Sequence, residues 1–160
     1  MRTAALALVV APFLVACPNT SPDRVRLVAS VDSVSLAVAS GTLVNTLSGT
    51  FEVVIDVGDL ASSDATITDP PSFELVAASD QGSIRKLDAT PSGQAFPITV
   101  KSGQHVVISF TLTDQNTLDA ATLGKACAGP VQITASLQDS LTADRPTAFE
   151  SAAVSVTGCP

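Results

Sequence analysis

From Val25 onward, apolar residues alternate with polar ones through most of the chain, the period of strands buried on one face. Val25, Leu27, Ala29 and Val31 share one parity, and Val34, Leu36 and Val38 take the other. The phase therefore slips at Asp32-Ser33, which predicts either a bulge or a strand that crosses from one sheet to another. Ser40-Gly41 reads as a turn, and Thr42 to Leu47 as a short strand or a continuation. Phe51, Val53, Ile55 and Val57 form a clear strand in which Val54 breaks the polar alternation. The polar stretch from Gly58 to Pro71 contains a short strand near Ala65–Thr68. Phe73 to Ala77 follows, then a turn at Asp80-Gln81-Gly82, a strand over Ser83–Leu87 and a loop over Asp88–Gln94.

The strongest local pattern is a hairpin: Pro97–Val100, a turn at Lys101-Ser102-Gly103-Gln104, then His105–Leu112. Ile98 and Val100 would join Val106, Ile108, Phe110 and Leu112 in the core. A Thr117 cap, the Ala/Leu-rich residues 118–123 and a Gly124 stop predict one short helix. Val131, Ile133, Ala135 and Leu137 alternate, as do Ala152, Val154 and Val156. About eight or nine short strands and one helix near 118–123 predict an all-β fold, an antiparallel immunoglobulin-like β-sandwich spanning 24–160.

The first residues break this pattern. After Met1-Arg2, the stretch Thr3 to Ala16 is 14 residues and almost wholly apolar. That is too short for a helix to cross a hydrocarbon core of about 30 Å, but it suits the core of a signal peptide. It ends in Leu14-Val15-Ala16-Cys17, which resembles the lipobox of bacterial lipoproteins at all four positions. The resemblance implies cleavage between Ala16 and Cys17, lipidation of Cys17, and membrane attachment through that anchor. Several acyl chains hold firmly where one holds marginally, at about 0.8 kcal/mol per buried CH2. Pro18 stands after the Cys where enteric inner-membrane lipoproteins carry Asp, so the resemblance favours the outer membrane. The six residues Pro18–Asp23 form a tether of at most about 20 Å.

Two cysteines then remain, Cys127 and Cys159. An even pair in an exported chain predicts a disulfide. The rival reading, metal ligation by Cys127, Cys159 and His105, lacks the close ligand spacing of known sites.

The stretch Phe51–Asp114 also resembles bacterial immunoglobulin-like domains of the abnormal-spindle and major-sperm-protein kind. The likeness rests on a Val-rich strand, Ala65-Thr66-Ile67-Thr68, Phe73, Ile98-Thr99-Val100-Lys101-Ser102-Gly103 and Val107-Ile108-Ser109-Phe110-Thr111. Asp56-Val57-Gly58-Asp59 stands where those domains carry an Asn-x-Gly turn. The resemblance implies the sandwich and no particular activity.

Composition narrows the function. Eight Lys and Arg against 15 Asp and Glu give a net charge of -7; loss of residues 1–16 would make it -8. An acidic chain is repelled by phosphate, so no nucleic-acid partner is expected. His105 is the only histidine, and no Gly-x-Ser-x-Gly or phosphate-binding glycine loop occurs. With no Trp or Tyr to stack sugars and no second His for copper, no cofactor and no enzymatic activity are expected. Asp56, Asp59, Asp64 and Asp69 are the one set that suggests a Ca2+ or small-ligand site. The favoured reading is a non-catalytic envelope lipoprotein that works by protein contact. Lacking the usual aromatic anchors of interfaces, it would most readily pair through a sheet edge.

Overall fold

The computed structural model of the protein describes residues 27–41, 44–142 and 145–160. Its strands are β1 (Leu27–Ser40), β2 (Asn45–Val57), β3 (Ala65–Ile67), β4 (Ser72–Ala77), β5 (Ser83–Leu87) and β6 (Ala89–Pro91). They continue with β7 (Ile98–Val100), β8 (His105–Leu112), β9 (Thr117–Leu118), β10 (Val131–Leu137) and β11 (Thr147–Glu150). One helix, α1 (Ala120–Cys127), lies among them. The first sheet has the order β1-β2-β8-β6, with β9 also pairing β2; the second has the order β11-β10-β4-β5. β3 and β7 form a separate two-stranded ladder. All the strand pairings are antiparallel. The result is an all-β antiparallel sandwich, compatible with the immunoglobulin-like fold.

Alternation places the core. Phe51, Val53, Ile55 and Val57 of β2 are buried, as are Ile108, Phe110 and Leu112 of β8. From the second sheet, Phe73, Leu75, Ile133 and Leu137 meet them in one continuous cluster. Phe73 bridges the layers, its ring centroid 4.8 Å from that of Phe51 and 4.9 Å from that of Phe110, edge-on to both. Phe51 and Phe110 stack at 5.6 Å. Such aromatic pairs add about 0.5–1.5 kcal/mol each beyond the area they bury.

The phase slip in β1 is a bulge. Asp32 pairs with Glu52 and Ser35 with Thr50, so Ser33 and Val34 together stand opposite Phe51. Ser33 adopts φ 51°, and its hydroxyl donates to Glu52 Oε2 at 2.9 Å. One extra residue moves burial from Leu27 and Val31 to Leu36 and Val38 without the strand leaving its sheet.

Four expectations need correction. The segment 97–112 turns at Lys101–Gln104, where Gly103 has φ 75°, but it is not a hairpin. β7 pairs with β3, and β8 pairs with β2 and β6. Alternation correctly buries Ile98 and Val100; it sets the face of a strand and says nothing of its neighbour. The helix begins later and runs longer than 118–123. Thr117 and Leu118 belong to β9, paired with Thr46 and Asn45, and Asp119 is the cap, accepting the Thr122 N–H at 2.7 Å. The helix passes through Gly124 because its last turn is held by tertiary contacts at buried Ala126 and at Cys127. Finally, the loop expected over 88–94 contains β6, and the segment 151–157 is not a regular strand.

That last segment is a strap. Its bridges fall every third residue: Ser151 to Val31, Val154 to Val131 and Thr157 to Ala37. It thus joins both sheets, Ser151 also donating its N–H to Ile133 O of β10 at 2.9 Å. Val38 N–H donates to Thr157 O at 2.8 Å and Thr157 N–H to Leu36 O at 3.0 Å. Val131 and Val154 exchange two bonds of 2.8 Å. The strap closes one side of the sandwich along β1.

Candidate protein-contact surface

Cys17 and Ala16, the residues of the expected lipidation and cleavage, lie outside the described residues, as does the tether 17–23. Cys127 and Cys159 are bonded, with Sγ atoms 2.04 Å and Cα atoms 5.7 Å apart. The bond ties the last turn of α1 to the end of the strap, beside Gly158. That glycine has φ 71°, and a Cβ there would stand 2.4 Å from Val38 O. Strap, glycine and disulfide form one unit that fixes the C-terminal segment against β1.

The four aspartates of the 56–69 segment are not drawn together. Asp64 accepts the Ser102 N–H at 3.1 Å, which ties the segment to the Lys101–Gln104 turn. The Ser102 hydroxyl donates to carbonyls of the same segment, the closest being Gly58 O at 3.1 Å. Asp56 is exposed on the outer face of β2, and Asp59 and Asp69 are exposed in loops. Among the described residues, no three His, Cys, Asp or Glu side chains are placed to hold a metal ion. His105 is exposed at the start of β8, opposite Asp56 in the cross-strand register. The outer faces carry shallow concavities lined by hydroxyls. One of about 370 Å3 lies over Ser72, Glu74, Lys86, Thr134 and Ser136. Another, of about 320 Å3, lies over Ser33, Thr50, Glu52, Ser92, Ser109 and Thr111. His105 lines neither.

Among the described residues, Asp119 is the one titratable group whose carboxyl is held clearly below its ordinary value. The main cause is the backbone N–H of Thr122 at the start of α1, reinforced by the Thr122 hydroxyl.

The edges of the two sheets differ in how they are covered. The outer edge of β1 is occupied by the strap between Val31 and Val38. α1 lies against β5, and Arg85 of β5 reaches across to donate through Nη1 to Thr117 O and through Nη2 to Gln115 O, the latter at 2.9 Å. An inward-pointing charged side chain on an edge strand is one of the features that discourage an incoming strand. β6 is three residues long and ends in Pro91, which has no N–H to offer.

β8 is covered over only part of its length. β6 pairs with it only over Phe110–Leu112, extended by one bond from Ser92 N–H to Ser109 O at 2.8 Å. Beyond Ser92 the chain turns away, with Gly93 at φ 76°. The bonds of Ser109 and Thr113 toward β6 and Asp88 show that odd-numbered residues of β8 direct their backbone groups to that side. His105 and Val107 therefore direct theirs there too, and among the described residues those groups have no backbone partner.

The same two residues face outward from the sheet. Val107 is 46% exposed and sits opposite Val54, which stands beside Ser30. Val28, 51% exposed, is one register step away, opposite Asp56. Val28, Val54 and Val107 make an apolar strip across β1, β2 and β8, bordered by Asp56 and Glu52 on β2. The signal was present in the sequence as Val54, the apolar residue at a polar position. Its meaning depends on register, which alternation does not supply.

No protein-family model matches this chain, and neither a curated protein nor a solved structure matches it.

Proposed function

We propose that the protein is a lipid-anchored envelope lipoprotein whose β-sandwich works by binding another protein and not by catalysis. The observation that carries this reading is the run Leu14-Val15-Ala16-Cys17 at the end of a 14-residue apolar stretch. Acylation at Cys17 would hold the chain at the membrane, with the outer membrane favoured by Pro18. The first described strand residue, Leu27, follows ten positions after Cys17, a span of at most about 36 Å. An anchored sandwich would therefore work close to the membrane surface. The half-covered edge of β8 and the apolar strip beside it supply a surface suited to contact with a protein.

The test is phase partitioning combined with cross-linking in native membranes. The wild-type chain should enter the detergent phase and cross-link to a stoichiometric partner. The Cys17→Ser chain should stay in the aqueous phase and lose that partner. A wild-type chain that remains aqueous would overturn the anchor, and equal capture by both chains would show that anchoring is not needed for contact.

A further inference from the structure

We propose that the uncovered stretch of β8, His105–Ile108, is a strand-addition site for an extended segment of a partner protein whose outward-facing residues, every second position, are apolar beside Val107 and basic two positions away. The proposal deepens the reading of the protein as a contact module, and it does not depend on the lipid anchor.

Three observations lead to it. First, the backbone groups of His105 and Val107 point to a side where β6 has already left the sheet. Unpaired groups on a sheet edge are a template for another strand, and proteins ordinarily obstruct them. Here the edges at β1, β5 and β6 are obstructed, by the strap, by Arg85 with α1, and by Pro91. The run His105-Val106-Val107-Ile108 carries no Lys, Arg or Pro and is rich in residues that favour strands.

Second, the outward side chain next to that edge is apolar. Val107 and Val54 form a pair that is not hydrogen-bonded, the kind in which side chains approach most closely. With Val28 they continue the apolar surface inward from the edge. An added strand would set one side chain of alternate parity beside Val107, and that side chain should be apolar. Main-chain bonds would supply affinity and this contact would supply register.

Third, the strip is bordered by Asp56 and Glu52, one strand in from the edge and within reach of long side chains on an added strand. Their charge selects Lys or Arg there and rejects Asp or Glu. It also argues against a second copy of this chain, since a symmetric pairing of β8 with β8 would bring together two acidic faces of a chain with net charge -7.

The experiment uses the purified full chain, with amide hydrogen exchange read residue by residue. The probe is a short synthetic peptide of the pattern Lys-Thr-Val-Thr-Lys, which puts valine and both lysines on one face of the strand; the control has glutamate in place of lysine. The lysine peptide should slow exchange at His105 and Val107 by about tenfold or more once bound, and the glutamate peptide should not. Val107→Pro removes only an N–H that points out of the sheet, a position where proline is tolerated. It should weaken binding about tenfold or more, the loss of roughly one charge-independent backbone bond with its contact. Val107→Lys keeps the backbone intact and should also abolish binding of the lysine peptide, so the result does not hang on one variant folding.

Equal binding of the two peptides, undiminished binding by both variants, or protection appearing at β6 or β11 would each overturn the proposal. Self-association that protects Val107 without peptide would make a second copy the occupant and overturn it as well. An unmodified Cys17 would defeat the anchor and leave this result unchanged, so the two failures are distinguishable.

Discussion

Gly158 and Gly93 both adopt positive φ, at 71° and 76°, but their surroundings differ. A Cβ on Gly158 would lie 2.4 Å from Val38 O, whereas a Cβ on Gly93 would meet nothing within 4 Å. Gly93→Ala should therefore cost about 1 kcal/mol for its backbone conformation alone, and Gly158→Ala distinctly more, because the strap must also move off β1. Chemical denaturation of the two variants measures the difference; equal losses would mean that the strap is not tightly held. Phe73→Ala removes the ring that joins the layers and should destabilise by about 3–5 kcal/mol in the same assay. Asp119 gives a pH-dependent case. Its folded carboxyl titrates below the ordinary aspartate value, so its stabilisation of α1 is complete above the unfolded value and is lost as pH falls through the folded one. Asp119→Ala should lower Tm at neutral pH, and the gap to wild type should close at strongly acid pH. A gap that persists there would assign the effect to packing.

At the scale of elements, alternation located β2, β8 and β10 because each buries every second residue along most of its length. The phase slip in β1 was legible for the same reason, as parity reverses from Leu27 and Val31 to Leu36 and Val38; that it is a bulge and not a crossing between sheets is decided by the register with β2. Partnership was not legible. Ile98 and Val100 face the core whether β7 pairs with β8 or with β3, and only the assembled sandwich decides. The strap escaped for a different reason. Its bonds come every third residue, so the spacing of Ala152, Val154 and Val156 misrepresents how it is held. The Cys127–Cys159 pair was readable from an even count, but its role was not, since that needs the strap. The bond closes a loop with a sequence separation of 32, worth roughly 3–4 kcal/mol in the chain-entropy model. The Cys127→Ser, Cys159→Ser double variant should lose about that stability and show faster amide exchange at Val38 and Thr157 before the β2–β8 ladder exchanges. Simultaneous exchange of strap and ladder would mean that the strap is no separate unit.

On the scale of the whole molecule, the sandwich joins a closed flank, where strap and disulfide cover β1, to a half-open one at β8. An acidic surface with an apolar strip next to unpaired backbone groups suits one kind of partner, a basic and extended one. The aspartates of the 56–69 segment, which looked like a cluster in sequence, are separated by the fold: Asp64 bonds to Ser102, while Asp56 belongs to the contact face. The sequence spacing of acidic residues says little where strands and turns point neighbours in different directions. The proposed address of the protein rests on a separate stretch, the segment ending at Cys17. The direct measurement is the intact mass of protein extracted from native membranes. The expected species begins at Cys17: residues 17–160 plus the mass of its acyl groups, lacking two hydrogens for the Cys127–Cys159 bond. A chain that retains residues 1–16, or an unmodified Cys17, would contradict that address.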